Sequence, residues 1–298
     1  SFWLRNTLSK YIDVQTHYNT PIIPIIVGNN DDTLKLRALF LKKDIIVGAV
    51  RPPTVPRGSS RIRLSLNSEL SKEKLEPLIS IVKEWSKKMR ITAVSGWAIP
   101  TDWFSEQIQK YFINSEVNVI YPSNPFDTEE ARRQLYEKPA DLYLGYSLGS
   151  LWMFRHRELF PKKSIKAVLA PILAFTKEHD MGGKTTSTQL NYLIKLLKRN
   201  DNENPLVDFY ANCEIPFPRI LLKTLPSRSI LIKGLEFLQS VIASKNSVFD
   251  FKVIVGDNDV FLDAMKLKNL IPQTEIVSGA GHAPDLLLSK LAKILNQS

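Results

Sequence analysis

The chain has 298 residues, of which 44% are hydrophobic and 23% charged, a composition that is typical of globular proteins and excludes wholesale disorder. Its single cysteine, Cys213, excludes an internal disulfide and fits a reducing compartment, so we expect a cytoplasmic protein. Because no apolar run is long enough for a membrane span and no signal-peptide pattern is present, no membrane partner is expected. The chain begins at Ser1 rather than methionine, which favours a fragment or a processed form.

The net charge of +10 is concentrated in the first 90 residues. That part has 16 Lys and Arg against 8 Asp and Glu, a net of +8, whereas the remainder has 24 against 22. Its arginines alternate with aliphatic residues in a strand-like pattern and do not line a helix. We therefore interpret the charge as a solubility feature and do not expect nucleic acid as a partner.

Three apolar runs near the N-terminus predict strands, and they cover residues 21–27, 45–50 and 61–66. In the third run, Ile62, Leu64 and Leu66 alternate with polar residues, which is typical of a strand with one buried face. The runs predict a small sheet.

Two helices are predicted around these strands. Residues 31–43 place Leu34, Ala38 and Leu41 on one face, and the helix over residues 71–88 is expected to bury Leu75, Leu78, Ile79 and Val82. Together with the strands they predict a small α+β domain over residues 1–88, followed by a second domain over 89–298.

From Arg90 onward, strand and helix patterns alternate, which predicts an α/β fold with a parallel sheet and right-handed crossovers. The predicted strands are 90–94, 117–121, 141–145, 165–169, 250–255 and 274–277. Helices are predicted from Thr101, over 128–137 and over 148–158. A mostly helical segment at about 171–247 interrupts the alternation where a lid would lie.

A Gly-x-Ser-x-Gly sequence, Gly145 to Gly149, lies between a predicted strand and a predicted helix. That context is required for a nucleophile elbow, a strained turn that exposes Ser147 and needs small residues on both sides. The sequence therefore predicts Ser147 as a nucleophile, which in turn requires a base and an acid.

Candidates for these partners follow later strands in the order serine, aspartate, histidine, the order found in α/β-hydrolases. His282, among glycines after the last strand, is the candidate base, and the alternative is a loop histidine without a role. His156 and His179 fit less well, since one lies in the helix after the elbow and the other among charged residues. Asp259 is the preferred acid, with Asp257 and Asp263 as rivals.

An oxyanion hole needs two backbone N–H donors. Leu148, directly after the nucleophile, would supply one of them, and the loop after the first strand of the second domain would supply the other. Gly96 allows unusual backbone in that loop, and Trp97 is placed to donate its amide and pack the acyl pocket. The alternative is a plain core tryptophan, and the two roles could hold together.

Taken together, Gly96-Trp97 with Pro100 and Trp103, the Gly-Tyr-Ser-Leu-Gly motif, Gly-x-x-Asp and Gly-His-Ala-Pro resemble the pimeloyl-[acyl-carrier protein] methyl ester esterases of biotin synthesis. The likeness runs from about residue 90 to the end and is thin in the insertion. It implies a serine carboxylesterase with an α/β-hydrolase fold, no cofactor and no metal. One departure is that the strands usually found ahead of the Gly-Trp loop are absent, which implies a trimmed sheet.

The N-terminal part, at residues 51–56, Gly58 and 61–64, resembles the C-terminal subdomain of 8-amino-7-oxononanoate synthase, a fold-type I pyridoxal-phosphate enzyme. The likeness covers about residues 1–86. It implies that Arg63 holds the carboxylate of an amino-acid substrate and that Arg51 lies near the substrate channel; otherwise the two are solvated strand arginines. The large domain with its Schiff-base lysine is absent, so we expect no synthase chemistry and no pyridoxal phosphate on this chain alone.

The two resemblances imply consecutive steps of one pathway and therefore a natural fusion truncated at its N-terminus. The function expected is hydrolysis of a pimeloyl methyl ester carried on acyl carrier protein. The alternatives are a generic short-acyl esterase and, for an intact gene product, the synthase itself, with the N-terminal part here a remnant or docking module. Acyl carrier proteins are acidic, so Lys195, Lys198 and Arg199, which lie within about one turn of a predicted helix, are a candidate docking surface. The apolar face of that helix is Leu190, Leu193, Ile194 and Leu197, and a merely solvated helix face is the alternative.

Overall fold

The structure is a computed structural model. It describes residues 1–14, 16–17, 20–28, 30–56, 58–87, 89–113, 115–199, 204–216 and 224–296. The chain forms two compact units, Ser1–Lys88 (unit 1) and Met89–Ser298 (unit 2), and each has its own hydrophobic core.

Unit 1 combines a three-stranded antiparallel sheet with helices. Its elements are α1 (Phe2–Leu8), β1 (Ile22–Gly28), α2 (Asn30–Leu41), β2 (Gly48–Val50), β3 (Ser60–Ser65) and α3 (Lys72–Ser86). β3 lies between β1 and β2 and pairs with both. Ile62 and Leu64 face the core, as their alternation predicts, and α3 buries the four predicted residues.

The predicted inner face of α2 is wrong. Leu34, Ala38 and Leu41 are exposed, whereas Leu36 and Phe40 are fully buried. The two sets have similar helical spacing, so periodicity alone cannot distinguish them, and only packing against the sheet selects the buried face.

The second predicted strand is shorter than expected because its first residues complete the end of α2. The backbone N–H of Ile45 donates to the carbonyl oxygen of Phe40, and the strand pairing begins only at Gly48, opposite Arg63. Ile46 is 88% exposed. Helix α1 has no counterpart in the sequence-based prediction.

Unit 2 alternates strands and helices, as predicted. Its strands are β4 (Met89–Val94), β5 (Ser115–Ile120), β6 (Leu142–Tyr146), β7 (Ile165–Leu169), β8 (Ala174–Thr176), β9 (Gly182–Thr185), β10 (Lys252–Gly256) and β11 (Thr274–Val277). The main sheet has the order β11-β10-β7-β6-β4-β5 and is parallel throughout. Every loop that follows the C-terminal end of one of its strands therefore lies at the same edge, where α/β sheets bind ligands.

The helices of unit 2 cover the main sheet and form part of the insertion. They are α4 (Thr101–Tyr111), α5 (Thr128–Glu137), α6 (Leu148–Arg155), α7 (Ser187–Arg199), α8 (Asn204–Asn212), α9 (Arg228–Ser240), α10 (Ala264–Leu270) and α11 (Pro284–Asn296). The insertion between β7 and β10 contains α7, α8 and α9 and, beyond the mostly helical prediction, a small parallel sheet of β8 and β9. Within the described ranges, no helix is both long and apolar enough to cross a membrane.

Candidate active site

Ser147 lies at the turn between β6 and α6 with a backbone φ of 53° and ψ of −116°. A non-glycine residue in such a region carries strain of about 1–3 kcal/mol, which the surrounding structure must offset. The turn is tightly packed, since a Cβ on Gly149 would lie 2.1 Å from the Val94 oxygen and one on Gly145 would lie 2.8 Å from the Gly149 oxygen. Both glycines of the motif are therefore sterically required.

Ser147, His282 and Asp259 form one hydrogen-bonded chain. The distance from Ser147 Oγ to His282 Nε2 is 3.0 Å, and His282 Nδ1 is 2.8 Å from Asp259 Oδ2. All three residues are buried. The second carboxylate oxygen of Asp259, Oδ1, accepts from the backbone N–H groups of Phe261 and Leu262. This is the geometry in which a histidine can take a proton from a serine hydroxyl.

The rival carboxylates have other partners in the structure. Asp257 is exposed, and its Oδ1 accepts from the backbone N–H of Gly279. Asp263 caps α10 by accepting from the backbone N–H of Lys266. Neither aspartate is therefore hydrogen-bonded to His282 in the described structure.

The rival histidines lie elsewhere in unit 2. His156 directly follows α6, and its Nε2 lies 3.2 Å from the carbonyl oxygen of Pro125. Burial lowers the pKa of His156, so the neutral form is favoured there. His179 is exposed in the insertion.

Leu148 directly follows Ser147, and Trp97 lines the same cavity as Ser147. Leu148 is the first residue of α6, where a backbone N–H has no carbonyl partner inside the helix. Trp97 is 2% exposed, and its indole Nε1 donates to the carbonyl oxygen of Leu231 at 2.8 Å. Trp97 is thus a core tryptophan that also borders the cavity at Ser147, and its role as an oxyanion donor stays a prediction.

A cavity of ≈ 200 Å³ opens on Ser147 and His282. Its other lining residues come from the loop after β4, from the insertion and from the loop after β10: Trp97, Phe175, Thr185, Gln189, Leu190, Leu193, Phe209, Leu235, Leu238 and Phe261. Among the described residues, no Asp, Glu, Lys or Arg lines it. The cavity is therefore suited to an uncharged, mainly apolar group.

Two residues that the sequence analysis missed bind the backbone carbonyl groups of His282 and Asp259. Tyr146 Oη donates to the carbonyl oxygen of His282 at 2.9 Å, and Lys184 Nζ donates to the carbonyl oxygen of Asp259 at 2.6 Å. Burial raises the pKa of Tyr146, so its hydroxyl keeps the proton that it donates. Tyr146 lies inside the Gly-x-Ser-x-Gly motif, but nothing in the sequence indicates that its partner is 136 residues away.

The three residues of the candidate docking surface are exposed on α7. They are Lys195, Lys198 and Arg199, opposite the buried Leu190, Ile194 and Leu197. Lys198 Nζ lies 3.8 Å from Glu236 Oε1 on α9. Among these three residues, Lys195 and Arg199 have no carboxylate within 4 Å in the described part of the chain.

In unit 1, Arg51 directly follows β2 and Arg63 lies on β3, and both are exposed. Arg63 is opposite Gly48 in register, and its Nε would be 3.4 Å from a Cβ on that glycine. Its side chain therefore crosses Gly48.

Pyridoxal phosphate, implied by the likeness of unit 1 to the synthase, requires a lysine whose amine is desolvated. Every lysine that the structure describes in unit 1 is exposed: Lys10, Lys35, Lys42, Lys43, Lys72, Lys74, Lys83 and Lys87. The described residues of unit 1 therefore do not fit this cofactor. Over the described residues of the whole chain, no group of three or more His, Cys, Asp or Glu could hold a metal ion.

Comparison with known sequences separates the two units. No protein-family model matches the chain. Its N-terminal part is similar to 8-amino-7-oxononanoate synthases. Identity is 48% over 65 residues with that of Ectopseudomonas mendocina, covering 22% of this chain and 17% of the synthase. With that of Buchnera aphidicola it is 47% over 84 residues, covering 28% and 21%. The chain thus spans about a fifth of the length of these curated relatives.

Comparison with solved structures identifies the fold, in which a mostly parallel sheet is covered by helices: it is the α/β-hydrolase fold, as predicted. The N-acyl homoserine lactonase AidH aligns with a TM-score of 0.51 at 14% identity, covering 71% of this chain and 90% of the lactonase. A thermophilic esterase from Thermogutta terrifontis aligns with a TM-score of 0.51 at 12% identity, covering 71% and 89%. At these identities the likeness establishes the fold alone.

Proposed function

We propose that unit 2 is a serine carboxylesterase and that its substrate is the methyl ester of a pimeloyl group carried on acyl carrier protein. The observation that carries the proposed esterase activity is the hydrogen-bonded chain of Ser147, His282 and Asp259 at the end of an apolar cavity. Serine hydroxyl is a weak nucleophile at neutral pH, and this arrangement supplies the base and the orienting acid that it needs.

In the acylation half, Ser147 Oγ attacks the ester carbonyl carbon while its proton passes to His282 Nε2. The Nδ1–H of His282 donates to Asp259, which favours the required tautomer and stabilises the imidazolium. The backbone N–H groups of Trp97 and Leu148 hold the oxyanion of the tetrahedral intermediate. The intermediate then collapses, and methanol leaves with the proton from His282 Nε2.

In the deacylation half, a water molecule attacks the acyl-serine carbonyl carbon and gives its proton to His282 Nε2. The second tetrahedral intermediate is held by the same two N–H groups. Its collapse breaks the bond to Ser147 Oγ, which recovers its proton, and the free carboxylic acid is released.

The lining of the cavity supports a neutral ester as the substrate. Burying an unpaired carboxylate is costly, and no cationic side chain lines the described cavity. A methyl ester avoids this cost, whereas the carboxylate released by hydrolysis does not. The cavity therefore favours binding of the ester and departure of the acid.

The size of the cavity supports a short acyl group, since ≈ 200 Å³ lies below the roughly 300–1,000 Å³ of sites for drug-sized ligands. The same observation favours a generic short-acyl esterase as the second candidate. The methyl ester on a carrier is preferred because unit 1 resembles an enzyme of the same pathway. The exposed positive charges of α7 also suit an acidic carrier.

Replacement of the nucleophile tests the esterase activity. Ser147→Ala should remove nearly all hydrolysis of p-nitrophenyl acetate, a loss on the order of 10⁴–10⁶-fold, because the attacking oxygen is absent. Ser240→Ala, an exposed serine at the end of α9, is the matched control and should behave as the parent. A Ser147→Ala variant that keeps about a tenth of the parent turnover would contradict the proposal, given that expected loss.

Charge reversal on α7 tests the carrier. Lys195→Glu with Arg199→Glu leaves the Lys198–Glu236 ion pair intact and should slow hydrolysis of the carrier-linked ester about tenfold at low salt, because encounter with an acidic partner is weakened. Hydrolysis of p-nitrophenyl acetate should be unchanged, since the site itself is not altered.

The control for this reversal changes the same number of charges elsewhere. Lys162 and Lys163 are exposed and precede β7, at the opposite edge of the sheet from Ser147. Lys162→Glu with Lys163→Glu should not affect the carrier-linked substrate. Docking on α7 would be excluded if both double variants hydrolysed the carrier-linked ester equally slowly. It would also be excluded if Lys195→Glu with Arg199→Glu slowed hydrolysis of p-nitrophenyl acetate as well.

A further inference from the structure

The loop that would supply the Trp97 amide is a tight turn with strained backbone. The carbonyl oxygen of Gly96 accepts from the backbone N–H of Ile99 at 3.2 Å, which closes a turn with Trp97 and Ala98 at its centre. Ala98 has a φ of 55°, a value that turns of this kind usually reserve for glycine. The geometry of the loop therefore needs support from outside the loop.

Two tyrosine hydroxyls supply such support at Ala98. The backbone N–H of Ala98 donates to Tyr121 Oη at 3.1 Å, and Tyr210 Oη donates to the Ala98 carbonyl oxygen at 2.5 Å. Tyr121 follows β5, whereas Tyr210 lies on α8 in the insertion. Burial raises the pKa of both tyrosines, so each keeps its proton at neutral pH.

The side chain of Trp97 is also held by the insertion. Its indole donates to Leu231 on α9, and the Phe209 ring of α8 packs edge-on against it, with ring centroids 4.8 Å apart. A Cβ on Gly234 of α9 would lie 2.9 Å from the Trp97 ring, so the contact is close. In the insertion, α8 thus holds the backbone of the turn, and α8 and α9 together hold the side chain of Trp97.

We propose that Tyr210 is a positioning residue that orients the Trp97 backbone N–H toward the oxyanion by holding the Ala98 carbonyl. Because a peptide unit is planar, the direction of the Trp97 N–H is opposite to that of the Gly96 carbonyl, which the turn fixes. Tyr210, which belongs to the insertion, stabilises the strained form of that turn through its hydrogen bond to the Ala98 carbonyl oxygen. The insertion therefore helps to assemble the catalytic geometry and does more than cover the cavity.

This inference rests on the proposed esterase activity, and Tyr210→Phe tests it in the whole 298-residue chain. The variant keeps the ring and loses only the hydroxyl. We expect kcat for p-nitrophenyl acetate to fall about tenfold with KM nearly unchanged, less than the roughly 10²–10³-fold cost of removing an oxyanion donor outright. The reason is that the transition state, and not the bound ester, depends on the orientation of the Trp97 N–H.

An alkyl trifluoromethyl ketone gives a second readout, since addition of Ser147 Oγ to it forms a stable tetrahedral oxyanion. Its inhibition constant for Tyr210→Phe should rise by the same factor by which kcat/KM falls. A merely structural role of Tyr210 would not link the two quantities. Tyr121→Phe, which removes the other hydroxyl at Ala98, should show the same pattern.

Tyr192→Phe is the matched control, because Tyr192 is an exposed tyrosine of the insertion, with 64% of its surface accessible. The inference is overturned when Tyr210→Phe matches Tyr192→Phe in kcat, or when its loss lies in KM and the ketone binds as tightly as to the parent. Failure of the esterase proposal can be distinguished from failure of this inference. An active Ser147→Ala variant would contradict the esterase proposal, independently of the result for Tyr210→Phe.

Discussion

Units 1 and 2 differ in where their likeness to known proteins lies. Over 65 residues, unit 1 is 48% identical to the synthase of Ectopseudomonas mendocina, yet its described lysines and the two predicted arginines are exposed. Unit 2 aligns with the AidH lactonase at 14% identity and with the Thermogutta terrifontis esterase at 12%, yet three of its side chains form a buried hydrogen-bonded chain beside a cavity. High identity over a short segment is therefore no measure of an organised site, which depends on the geometry of a few residues.

The largest expected effect distinguishes the three aspartates of unit 2. Asp259→Asn should lower kcat on the order of 10⁴-fold, because the amide favours the wrong tautomer of His282. Asp257→Asn and Asp263→Asn should have little effect, since the asparagine keeps an oxygen that can accept from Gly279 or cap α10. Steady-state hydrolysis of p-nitrophenyl acetate measures all three. A severe loss in Asp257→Asn with normal Asp259→Asn turnover would show that the wrong carboxylate has been assigned.

A core substitution in unit 1 tests whether the two units are energetically separate. Ile62 is fully buried in β3, and Ile62→Ala should lower the free energy of unfolding of unit 1 by about 2–5 kcal/mol. Ester hydrolysis should stay at the parent level, because the hydrophobic core of unit 2 does not include Ile62. Thermal unfolding curves alongside hydrolysis rates check this, with Ile22→Ala, at a half-exposed position, as the mild control.

The single cysteine sharpens the same comparison. Cys213 lies in the core of unit 2, and burial, with a further contribution from the charge of Asp259, raises the pKa of its thiol. Because the thiolate is the reactive form, the native protein should not react with iodoacetamide at pH 8. The thiol should remain protected in Ile62→Ala at a temperature that unfolds unit 1. Labelling of Cys213 in step with the unfolding of unit 1 would mean that the two units unfold together.

The smallest expected signal concerns the cofactor. Addition of pyridoxal phosphate followed by borohydride should give no stoichiometric adduct at a single lysine, because exposed amines bind the aldehyde weakly and without preference. Peptide mapping by mass spectrometry measures this, with free lysine as the reference for nonspecific labelling. One fully labelled lysine in residues 1–88 would show that unit 1 does fit the cofactor. Unit 1 would then, like unit 2, contain an organised site.

Local patterns in the sequence were sufficient to predict much of the fold. The six strands of the main sheet and the first three helices of unit 2 follow from alternating apolar runs, and the four buried residues of α3 follow from helical spacing. The inner face of α2 could not be predicted in the same way. Its two candidate stripes have similar spacing, and Phe40, not Leu41, is the residue buried in the core of unit 1.

The candidate site shows the same division. Gly-x-Ser-x-Gly between a strand and a helix indicates a nucleophile elbow, because the steric needs of that turn are local. The order of aspartate and histidine after later strands indicates which loops reach the same edge of a parallel sheet. The sequence by itself therefore determined the fold class, the place of Ser147 and a short set of candidate partners.

Only the tertiary structure decided among those candidates and added the residues that hold them. Asp259 rather than Asp257 or Asp263 lies against His282, and Tyr146 and Lys184 fix the backbone of that pair. Tyr210 meets Ala98 from 112 residues away. The reason is physical: such contacts depend on how separate segments pack, and a pattern of neighbouring residues carries no information on distances across the fold.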